Sequence, residues 1–444
     1  MPRLMISISG VRGVYGDGLD NSLAERFAFA FGTLYRGVVV VGRDSRVSGK
    51  ALSQAVISGL RKAGADVIDC GLASTPTTEM AVTACNAAGG VIVTASHNPR
   101  EWNGLKFLGP DGVFLDARQG AQLLETYERT DSLHTLPLTG TVSDWDGADD
   151  HHIQSVLNLD IIERERIASQ HFSVCIDTVN GAGGPICRDL LNRLGCTVHT
   201  INSEPTGIFA HTPEPVPDNL WNLCATVAET NADVGFAVDP DVDRLSIVSG
   251  EGRAIGEEYT LAFAVDSIVE KTGTTAACNL STSRMVDDAA NRHGQILHRS
   301  PIGEINVVEL MREVGAGIGG EGNGGIIFPA LHYGRDAVLG MALILQIMTE
   351  SEKTIGELAQ SFPAYTMIKE KVQYDGTDSW SEPVRAAFEG EETDERDGVK
   401  VIMTDAWVHV RPSNTEPVVR VIAEAPTKDA AEGLIRKVRD ILER

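Results

Sequence analysis

The segment TASHNP, residues 94–99, places a hydroxyl beside an imidazole directly after the apolar run GVIV. Such a run is typical of a buried strand, so Ser96 is expected at its carboxyl end. A serine next to His97 could be a nucleophile with a general base. It could equally belong to an ordinary turn, because Ser, Asn and Pro all favour turns. Lys106, in the following WNGLK, is expected in the same neighbourhood.

Three carboxylates alternate in DPDVDR, residues 239–244, after the apolar run VGFAV. Alternate residues of an extended segment face one way, and three converging carboxylates repel one another unless a hard cation lies among them. Asp239, Asp241 and Asp243 therefore predict a Mg²⁺ site, with a loop of solvated acids as the alternative. An EF-hand is excluded because Arg244 and Gly250 stand where it needs Gly and Glu. The position of Arg244 suggests that an anion bridges the metal and its guanidinium.

Two further loops combine polar side chains with glycine or turn residues. GGEGNGG, residues 319–325, lets backbone approach a ligand closely and offers Glu321 and Asn323 to sugar hydroxyls. RPSNTEPVVR, residues 411–420, is either a capped turn or a phosphate site. Its candidate ligands are Arg411, Ser413, Asn414, Thr415 and Arg420.

Arginines recur in the glycine-rich turns of this chain, and their guanidinium forks suit phosphate. They could also be ordinary surface arginines. The set comprises Arg12, Arg43, Arg46, Arg335, Arg411 and Arg420.

The elements that must position these loops alternate between apolar strands and amphipathic helices. VVVVG at 38–42 and GVIV read as buried strands, with helices expected over 22–36 and after Ser48. The first of these helices is expected to be capped by Asn21 or Ser22. Such alternation predicts βαβ units, and ligands bind beyond the carboxyl ends of their parallel strands. The pattern restarts twice, and the final stretch reads as antiparallel strands with helices.

The sequence thus predicts an α/β protein of three consecutive α/β domains with mixed, mainly parallel sheets, followed by a C-terminal α+β domain. We expect the Ser96 loop in residues 1–150 and the metal loop in 151–255. The sugar loop falls in 256–365 and the phosphate loop in 366–444.

Composition narrows the class of partner. The 444-residue chain has a net charge of −24, which argues against nucleic acid or an anionic membrane, since both need a basic face. No run of about 18 apolar residues predicts a membrane span. Seven scattered cysteines without a signal-peptide pattern suggest reduced thiols and a cytoplasmic protein.

Taken together, a serine, a metal site, a sugar loop and a phosphate loop predict phosphoryl transfer on a phosphorylated sugar, chemistry that depends on positioning and charge neutralisation. The second phosphate site favours a mutase over a simple phosphatase. We expect a phosphorylated hexose as the binding partner and a monomer or homodimer.

The chain resembles the α-D-phosphohexomutases over essentially its whole length. The motifs SGVRG, GRDSRVSG, TASHNP with NGLK, DPDVDR, GEGNGG and RPSNTEP occur in the family's order. The resemblance implies four domains around a central cleft and a phosphorylated Ser96. Mg²⁺ would be held by Asp239, Asp241, Asp243 and a phosphate oxygen on Ser96. A hexose 1,6-bisphosphate would form, turn over and return its other phosphoryl group to Ser96.

The resemblance also implies roles for individual side chains. Arg12, His97 and Lys106 match family positions near the phosphoserine, with Lys106 or His97 as the acid–base group. Sugar contacts fall to Glu321 and Asn323. Phosphate contacts fall to Arg411, Ser413, Asn414, Thr415 and Arg420.

Two departures from the commoner bacterial pattern bear on the substrate. The loop GE-x-SGH becomes GEGNGG, which puts Asn323 for Ser and Gly325 for His, and SISGVRG replaces FGT-x-G-x-RG. Both variants resemble the archaeal-type phosphoglucosamine mutases, so glucosamine phosphate is the expected substrate. Mannose and glucose phosphates are the alternative.

Two rival classes fit part of the pattern. A haloacid-dehalogenase-type phosphatase would use the acids of DPDVDR as nucleophile and base, but its motif should open the catalytic domain rather than lie in mid-chain. A non-catalytic sugar-phosphate-binding protein would need the arginine and glycine loops without Ser96 or the acids.

Overall fold

The computed structural model describes residues 4–7, 10–130, 137–373, 380–412 and 418–443. Its chain forms two compact units. Among the described residues, the larger unit contains those from 4 to 264 together with 323–357, and the smaller unit contains 265–322 and those from 358 onward.

The first sheet of the larger unit is mixed and carries Ser96 just beyond a strand end. Its order is β1-β2-β7-β6-β4-β5-β8, with β3 paired to β2. Strands β4, β5, β6 and β8 are parallel, whereas β7 is antiparallel to both β6 and β2. The strands are β1 (Leu4–Ser7), β2 (Gly10–Tyr15), β3 (Gly18–Leu19), β4 (Val38–Arg43), β5 (Asp66–Leu72), β6 (Gly89–Val93), β7 (Trp102–Leu108) and β8 (Val142–Asp144).

Helices cover this sheet, which explains why its inner strands are apolar on both faces. They are α1 (Asn21–Leu34), α2 (Gly49–Lys62), α3 (Thr75–Ala84), α4 (Ala117–Glu128) and α5 (Ala148–Leu157). The expected cap of α1 at Asn21 or Ser22 was wrong. Asp20 is the cap, because its carboxylate accepts a hydrogen bond from the Leu23 backbone at 2.8 Å.

The second sheet, also in the larger unit, has the order β10-β9-β11-β12. Its first three strands are parallel and β12 is antiparallel. The carboxylates of DPDVDR therefore occupy the turn between two fully buried strands, β11 and β12. The elements are α6 (Arg164–Gln170), β9 (Ser173–Asp177), α7 (Gly183–Arg193), β10 (Thr197–Ile201), α8 (Trp221–Thr230), β11 (Val234–Val238) and β12 (Leu245–Ser249).

The third region contributes to both units. In the smaller unit β14, β13 and β15 are parallel, and in the larger unit β16 and β17 form an antiparallel pair followed by the buried helix α12. The elements are α9 (Glu258–Thr272), β13 (Ala276–Asn279), α10 (Met285–Arg292), β14 (Leu297–Ser300), α11 (Glu304–Val314), β15 (Ile318–Glu321), β16 (Gly325–Phe328), β17 (His332–Arg335), α12 (Ala337–Ser351) and α13 (Ile355–Gln360).

The C-terminal region, in the smaller unit, is an antiparallel sheet of order β18-β22-β21-β20-β19 with α14 and α15. Valines of β20, β21 and β22 pack with Ile435 and Val438 of α15 to form its core. The elements are β18 (Thr366–Gln373), α14 (Ser381–Ala387), β19 (Glu392–Asp394), β20 (Val399–Ile402), β21 (Trp407–Pro412), β22 (Val418–Ala425) and α15 (Lys428–Leu442).

These four regions confirm the predicted fold class of mixed α/β sheets followed by an α+β region. In the described part of the chain, no helix is long and apolar enough to cross a membrane. All seven cysteines are free thiols. Burial raises the pKa of every one of them.

Candidate active site

Ser96 lies where the sequence places it, three residues beyond the end of β6. Its side chain is buried, and its hydroxyl donates to Oδ2 of Asp239 at 2.8 Å. Nδ1 of His97 lies 3.3 Å from the same hydroxyl oxygen. The backbone of Ser96 is left-handed, with φ +48°. The loop therefore brings the serine to the acids, which lie 143 residues further along the chain.

Asp239, Asp241 and Asp243 converge as predicted. All three are 0% exposed, and one oxygen from each lies within 4.8 Å of the others. Oδ1 of Asp241 and Oδ1 of Asp243 are buried and have no hydrogen-bond partner among the described residues. Buried carboxylate oxygens are costly when they are not satisfied. A hard divalent cation prefers such ligands, so the residues present fit a metal site.

Two side-chain cations offset the triad. Lys106, on β7, donates to Oδ2 of Asp241 at 2.8 Å and lies 3.5 Å from Oδ2 of Asp243. Arg335, at the end of β17, donates to Oδ2 of Asp243 at 2.6 Å. Both cations are buried.

The carboxylates of the triad differ in their electrostatic surroundings. Burial, followed by the charges of Asp243 and Asp241, raises the pKa of Asp239 well above its ordinary value. Burial also acts to raise the pKa of Asp241. The charge of Lys106 and the hydrogen bonds to Asp241 outweigh that effect and lower the pKa.

The bases and cations around Ser96 also influence one another. The positive charge of Arg244, followed by burial, lowers the pKa of His97 well below its usual range. The pKa of Lys106 is raised, because its two carboxylate partners outweigh the effect of burial. Burial lowers the pKa of Arg12, which also responds to the charges of Asp241 and Arg244. Nη1 of Arg244 lies 3.4 Å from Oε1 of Glu214, and Nε of Arg244 lies 3.8 Å from Oδ1 of Asp243.

The residues of the GEGNGG loop divide between the two units. In the larger unit, Oδ1 of Asn323 accepts from the Gly325 backbone at 3.3 Å and so supports the turn into β16. In the smaller unit, the buried Glu321 accepts from Nδ2 of Asn279 at 2.8 Å. Asn279, at the end of β13, also orders the following turn by accepting from the Ser281 backbone at 2.9 Å.

The C-terminal candidates are described only in part. Arg411 and Arg420 are directly paired across β21 and β22, and Nε of Arg411 lies 3.4 Å from Oδ1 of Asp397. Ser413, Asn414 and Thr415 fall outside the described residues, so their proposed phosphate contacts stay predictions.

Several residues that support the site were not predicted from the sequence. Oγ1 of Thr75, in the first turn of α3, donates to Oδ2 of Asp241 at 2.7 Å, and the Thr75 amide donates to the Asp241 carbonyl at 2.9 Å. The hydroxyl of Thr94, two residues before Ser96, donates a hydrogen bond to Oδ2 of Asp44 at 2.7 Å. Only the hydroxyls of STP and TASHNP and the acid of GRDSR could have indicated these residues.

Comparison with known families then identifies the class of protein. Four domain models of phosphoglucomutase/phosphomannomutase match in order: domain I at residues 4–134, domain II at 150–252, domain III at 256–365 and the C-terminal domain at 367–441. The chain belongs to the phosphoglucomutase/phosphomannomutase family and is a phosphohexomutase enzyme. This confirms the resemblance inferred from the motifs.

Two relatives are similar to this chain over almost its whole length. A "phosphoglucomutase/phosphomannomutase" of Thermococcus kodakarensis is 37% identical over 95% of this chain and 94% of its own. A "probable phosphoglucosamine mutase" of Methanopyrus kandleri is 34% identical over 98% and 97%.

Solved structures share the fold. A family member from Burkholderia thailandensis superposes with a TM-score of 0.83 at 28% identity, covering 99% of this chain and 98% of its own. The N-acetylphosphoglucosamine mutase of Aspergillus fumigatus, solved with GlcNAc-6P and magnesium, shows only the shared fold at 15% identity. Its TM-score is 0.61, with coverage of 98% and 95%.

Proposed function

We propose that this enzyme interconverts a hexose 6-phosphate and a hexose 1-phosphate through phospho-Ser96 and a hexose 1,6-bisphosphate, with glucosamine phosphate as its substrate. One observation carries the proposal. The Ser96 hydroxyl lies 2.8 Å from a carboxylate of a buried three-Asp cluster. A nucleophilic hydroxyl next to a divalent-cation site is what phosphoryl transfer requires.

Asp239, Asp241 and Asp243 would hold Mg²⁺ together with an oxygen on Ser96. Within the part of the chain that the structure describes, two carboxylate oxygens of this cluster have no hydrogen-bond partner, and this supports the assignment. When bound, the ion would neutralise the negative charge of the transferred phosphoryl group. Lys106 and Arg335 already lie at the same carboxylates, so the chain surrounds the reacting position with positive charge.

Side chains near Ser96 would transfer the protons that the reaction requires. In the first transfer the sugar hydroxyl loses a proton and its oxygen bonds to phosphorus. The bond between phosphorus and Oγ of Ser96 breaks, and Oγ takes up a proton. Nζ of Lys106 and Nδ1 of His97 are the candidate groups for these transfers. The second transfer reverses the steps at the other end of the sugar.

The remaining candidates would bind the parts of the substrate that do not react. Arg12 and Arg244 would contact the reacting phosphate, and Glu321 and Asn323 the sugar hydroxyls. The distal phosphate would be held by the set Arg411, Ser413, Asn414, Thr415 and Arg420. We also propose that the chain divides into four domains, with boundaries near residues 150, 255 and 365.

The preferred sugar rests on the GEGNGG loop and on relatives such as that of Methanopyrus kandleri. A broad phosphoglucomutase/phosphomannomutase is the second candidate, because the relative from Thermococcus kodakarensis bears that name at 37% identity.

The test combines a substrate comparison with removal of the nucleophile. Purified enzyme with Mg²⁺ and a trace of hexose 1,6-bisphosphate is given glucosamine, mannose or glucose 6-phosphate, and phosphorus NMR follows the 1-phosphate. We expect the amino sugar to react fastest. Comparable rates for all three would favour the broad mutase.

Ser96→Ala should lower kcat by at least about 10⁴-fold, because no other group forms the covalent intermediate. Ser155→Ala is the matched control, since Ser155 bonds only to a helix carbonyl of α5 and should retain full activity. Turnover surviving in homogeneous Ser96→Ala protein would refute the phosphoserine mechanism.

A further inference from the structure

The backbone of Ser96 adopts a conformation that is unfavourable for serine. Its φ of +48° lies in the left-handed region, which costs a non-glycine residue about 1–2 kcal/mol. Such a conformation persists only where the surrounding structure enforces it. The groups that enforce it here lie on both sides of the residue.

On the amino side, a buried threonine holds the peptide group of Ser96. The Ser96 amide donates to Oγ1 of Thr94 at 2.9 Å. The Thr94 hydroxyl in turn donates to Oδ2 of Asp44 at 2.7 Å. All three side chains are buried, so water does not compete for these bonds.

On the carbonyl side, the guanidinium of Arg46 donates hydrogen bonds to four backbone carbonyls of the loop. Its Nη2 donates to the carbonyls of Ser96 at 2.5 Å and Asn98 at 2.8 Å. Its Nη1 donates to the carbonyls of Pro99 at 2.7 Å and Trp102 at 2.9 Å.

The fifth donor of this guanidinium, Nε, bonds to Oδ2 of Asp44 at 3.0 Å. All five guanidinium N–H groups of Arg46 therefore have acceptors within the protein. Arg46 is 1% exposed. The idea that this arginine is a phosphate fork or a surface residue is wrong, because it is buried and its five donors bind four backbone carbonyls and the Asp44 carboxylate.

We propose that Asp44, Arg46 and Thr94 are positioning residues that hold Ser96 in its left-handed conformation. Asp44 joins the two sides, because its Oδ2 accepts from both Thr94 and Arg46. The inference rests on the proposed function, since it assigns these residues to aiming Oγ of Ser96 at Asp239 during both phosphoryl transfers. None of the three touches the reacting atoms in this account.

Thr94→Val tests the proposal, with Thr94→Ser as the matched control. Valine keeps the shape of threonine but cannot accept from the Ser96 amide, whereas serine keeps the hydroxyl. Arg46 is the less suitable target, because its removal leaves a buried Asp44 charge unpaired and endangers folding. We expect kcat of Thr94→Val to fall about 100-fold, the cost of a misplacement of roughly 1 Å.

Three readouts separate positioning from general damage. The KM of Thr94→Val should stay within about threefold of the wild-type value, because substrate contacts are untouched. Mg²⁺ affinity measured by calorimetry should fall by a smaller factor than kcat, because the three Asp ligands stay in place and only the Ser96 oxygen moves. In crystal structures, Ser96 should leave the left-handed region in Thr94→Val and keep it in Thr94→Ser.

Equal kcat values for Thr94→Val and Thr94→Ser would overturn the inference. So would a Thr94→Val crystal structure in which φ of Ser96 remains left-handed. The crystallographic comparison does not depend on substrate. A wild-type enzyme that turned over no hexose phosphate would refute the proposed function, while the fate of Ser96 would still decide whether these residues hold it.

Discussion

Gly325 has no side chain, and the stem of Arg335 passes through the space that one would occupy. A Cβ atom at Gly325 would lie 2.3 Å from Cδ of Arg335. Arg335 thereby reaches Asp243 from β17. The following residue, Asp336, fixes this junction by capping α12 through the amides of Val338 and Leu339. The absence of a side chain at position 325 therefore leaves room for the stem of Arg335.

Gly325→Ala should displace Arg335 from Asp243, because the added methyl group and the arginine stem cannot share the space. We expect kcat to fall about 10-fold or more and stability to fall by about 1–3 kcal/mol through overpacking. Steady-state kinetics and urea unfolding measure the two effects.

A double-mutant cycle with Arg335→Gln is the control for this prediction. If alanine acts by moving Arg335, the loss of kcat in the double variant should be much smaller than the combined losses of the single variants. Independent, additive losses would contradict the explanation.

Three neighbouring strands of the C-terminal sheet present a row of cations. Lys371 on β18 pairs with Arg420 on β22, which pairs with Arg411 on β21. Paired residues share a face of the sheet. Glu370, the preceding residue, contacts Arg439 of α15, so the row lies on the face opposite that helix. Like charges placed directly opposite are destabilising, and a bound phosphate would offset this cost.

Lys371→Met should weaken substrate binding. Steady-state kinetics are expected to show KM raised about fivefold, with little change in kcat, through loss of a remote phosphate contact.

Lys369→Met is the matched control for this element, because Lys369 lies on the same strand and face but pairs with the apolar Ile422. Its KM should remain near that of the wild type. A KM unchanged by Lys371→Met would remove Lys371 from the phosphate site.

At the scale of the whole molecule, pH acts on the buried contacts that join the two sequence segments of the smaller unit. His409 bonds through Nδ1 to the Ser281 hydroxyl at 2.8 Å and through Nε2 to the Asp397 carbonyl at 2.6 Å. Lys400 donates to the Leu280 carbonyl at 2.6 Å. Nε2 must donate to a carbonyl, so a neutral ring accepts from Ser281 at Nδ1, and protonation would force the Ser281 hydroxyl to accept instead of donate.

Burial lowers the pKa of His409 to about 4. A histidine with a lowered pKa in the folded state stabilises the protein above its unfolded value of about 6.5, and this contribution is lost as pH falls towards 4. The loss should reach about 3 kcal/mol across that window. Urea unfolding at several pH values measures it.

His409→Gln, which does not titrate, separates this effect from the other acid-sensitive groups. The variant should lose less stability than the wild type between about pH 6.5 and pH 4. Parallel losses in both proteins would show that His409 does not carry the effect.

The sequence located the reacting loops but not everything that holds them. Ser96 was predictable because the apolar run before it ends sharply, and the Asp cluster because three carboxylates alternate after a buried strand. Strand β7 was not predicted, since WNGLKFL mixes polar and apolar residues, although all seven are buried. Lys106 needs that strand to reach Asp241.

Arg46 shows why the remainder could not be predicted. A guanidinium in a polar turn suits phosphate, and only burial reveals that its donors serve backbone carbonyls. Similarly, nothing in a glycine at position 325 indicates that an arginine ten residues later fills its place. Such relations depend on tertiary contact, which local pattern does not encode.

The seven free thiols, four of them buried and three partly buried, would act as natural reporters of unfolding. Because burial raises their pKa values, few thiolates exist at neutral pH to react with an alkylating reagent. Six of the cysteines belong to the larger unit, and Cys278, in the central strand β13, belongs to the smaller. Alkylation read by peptide mass spectrometry would therefore time the exposure of each unit separately, without a single introduced probe.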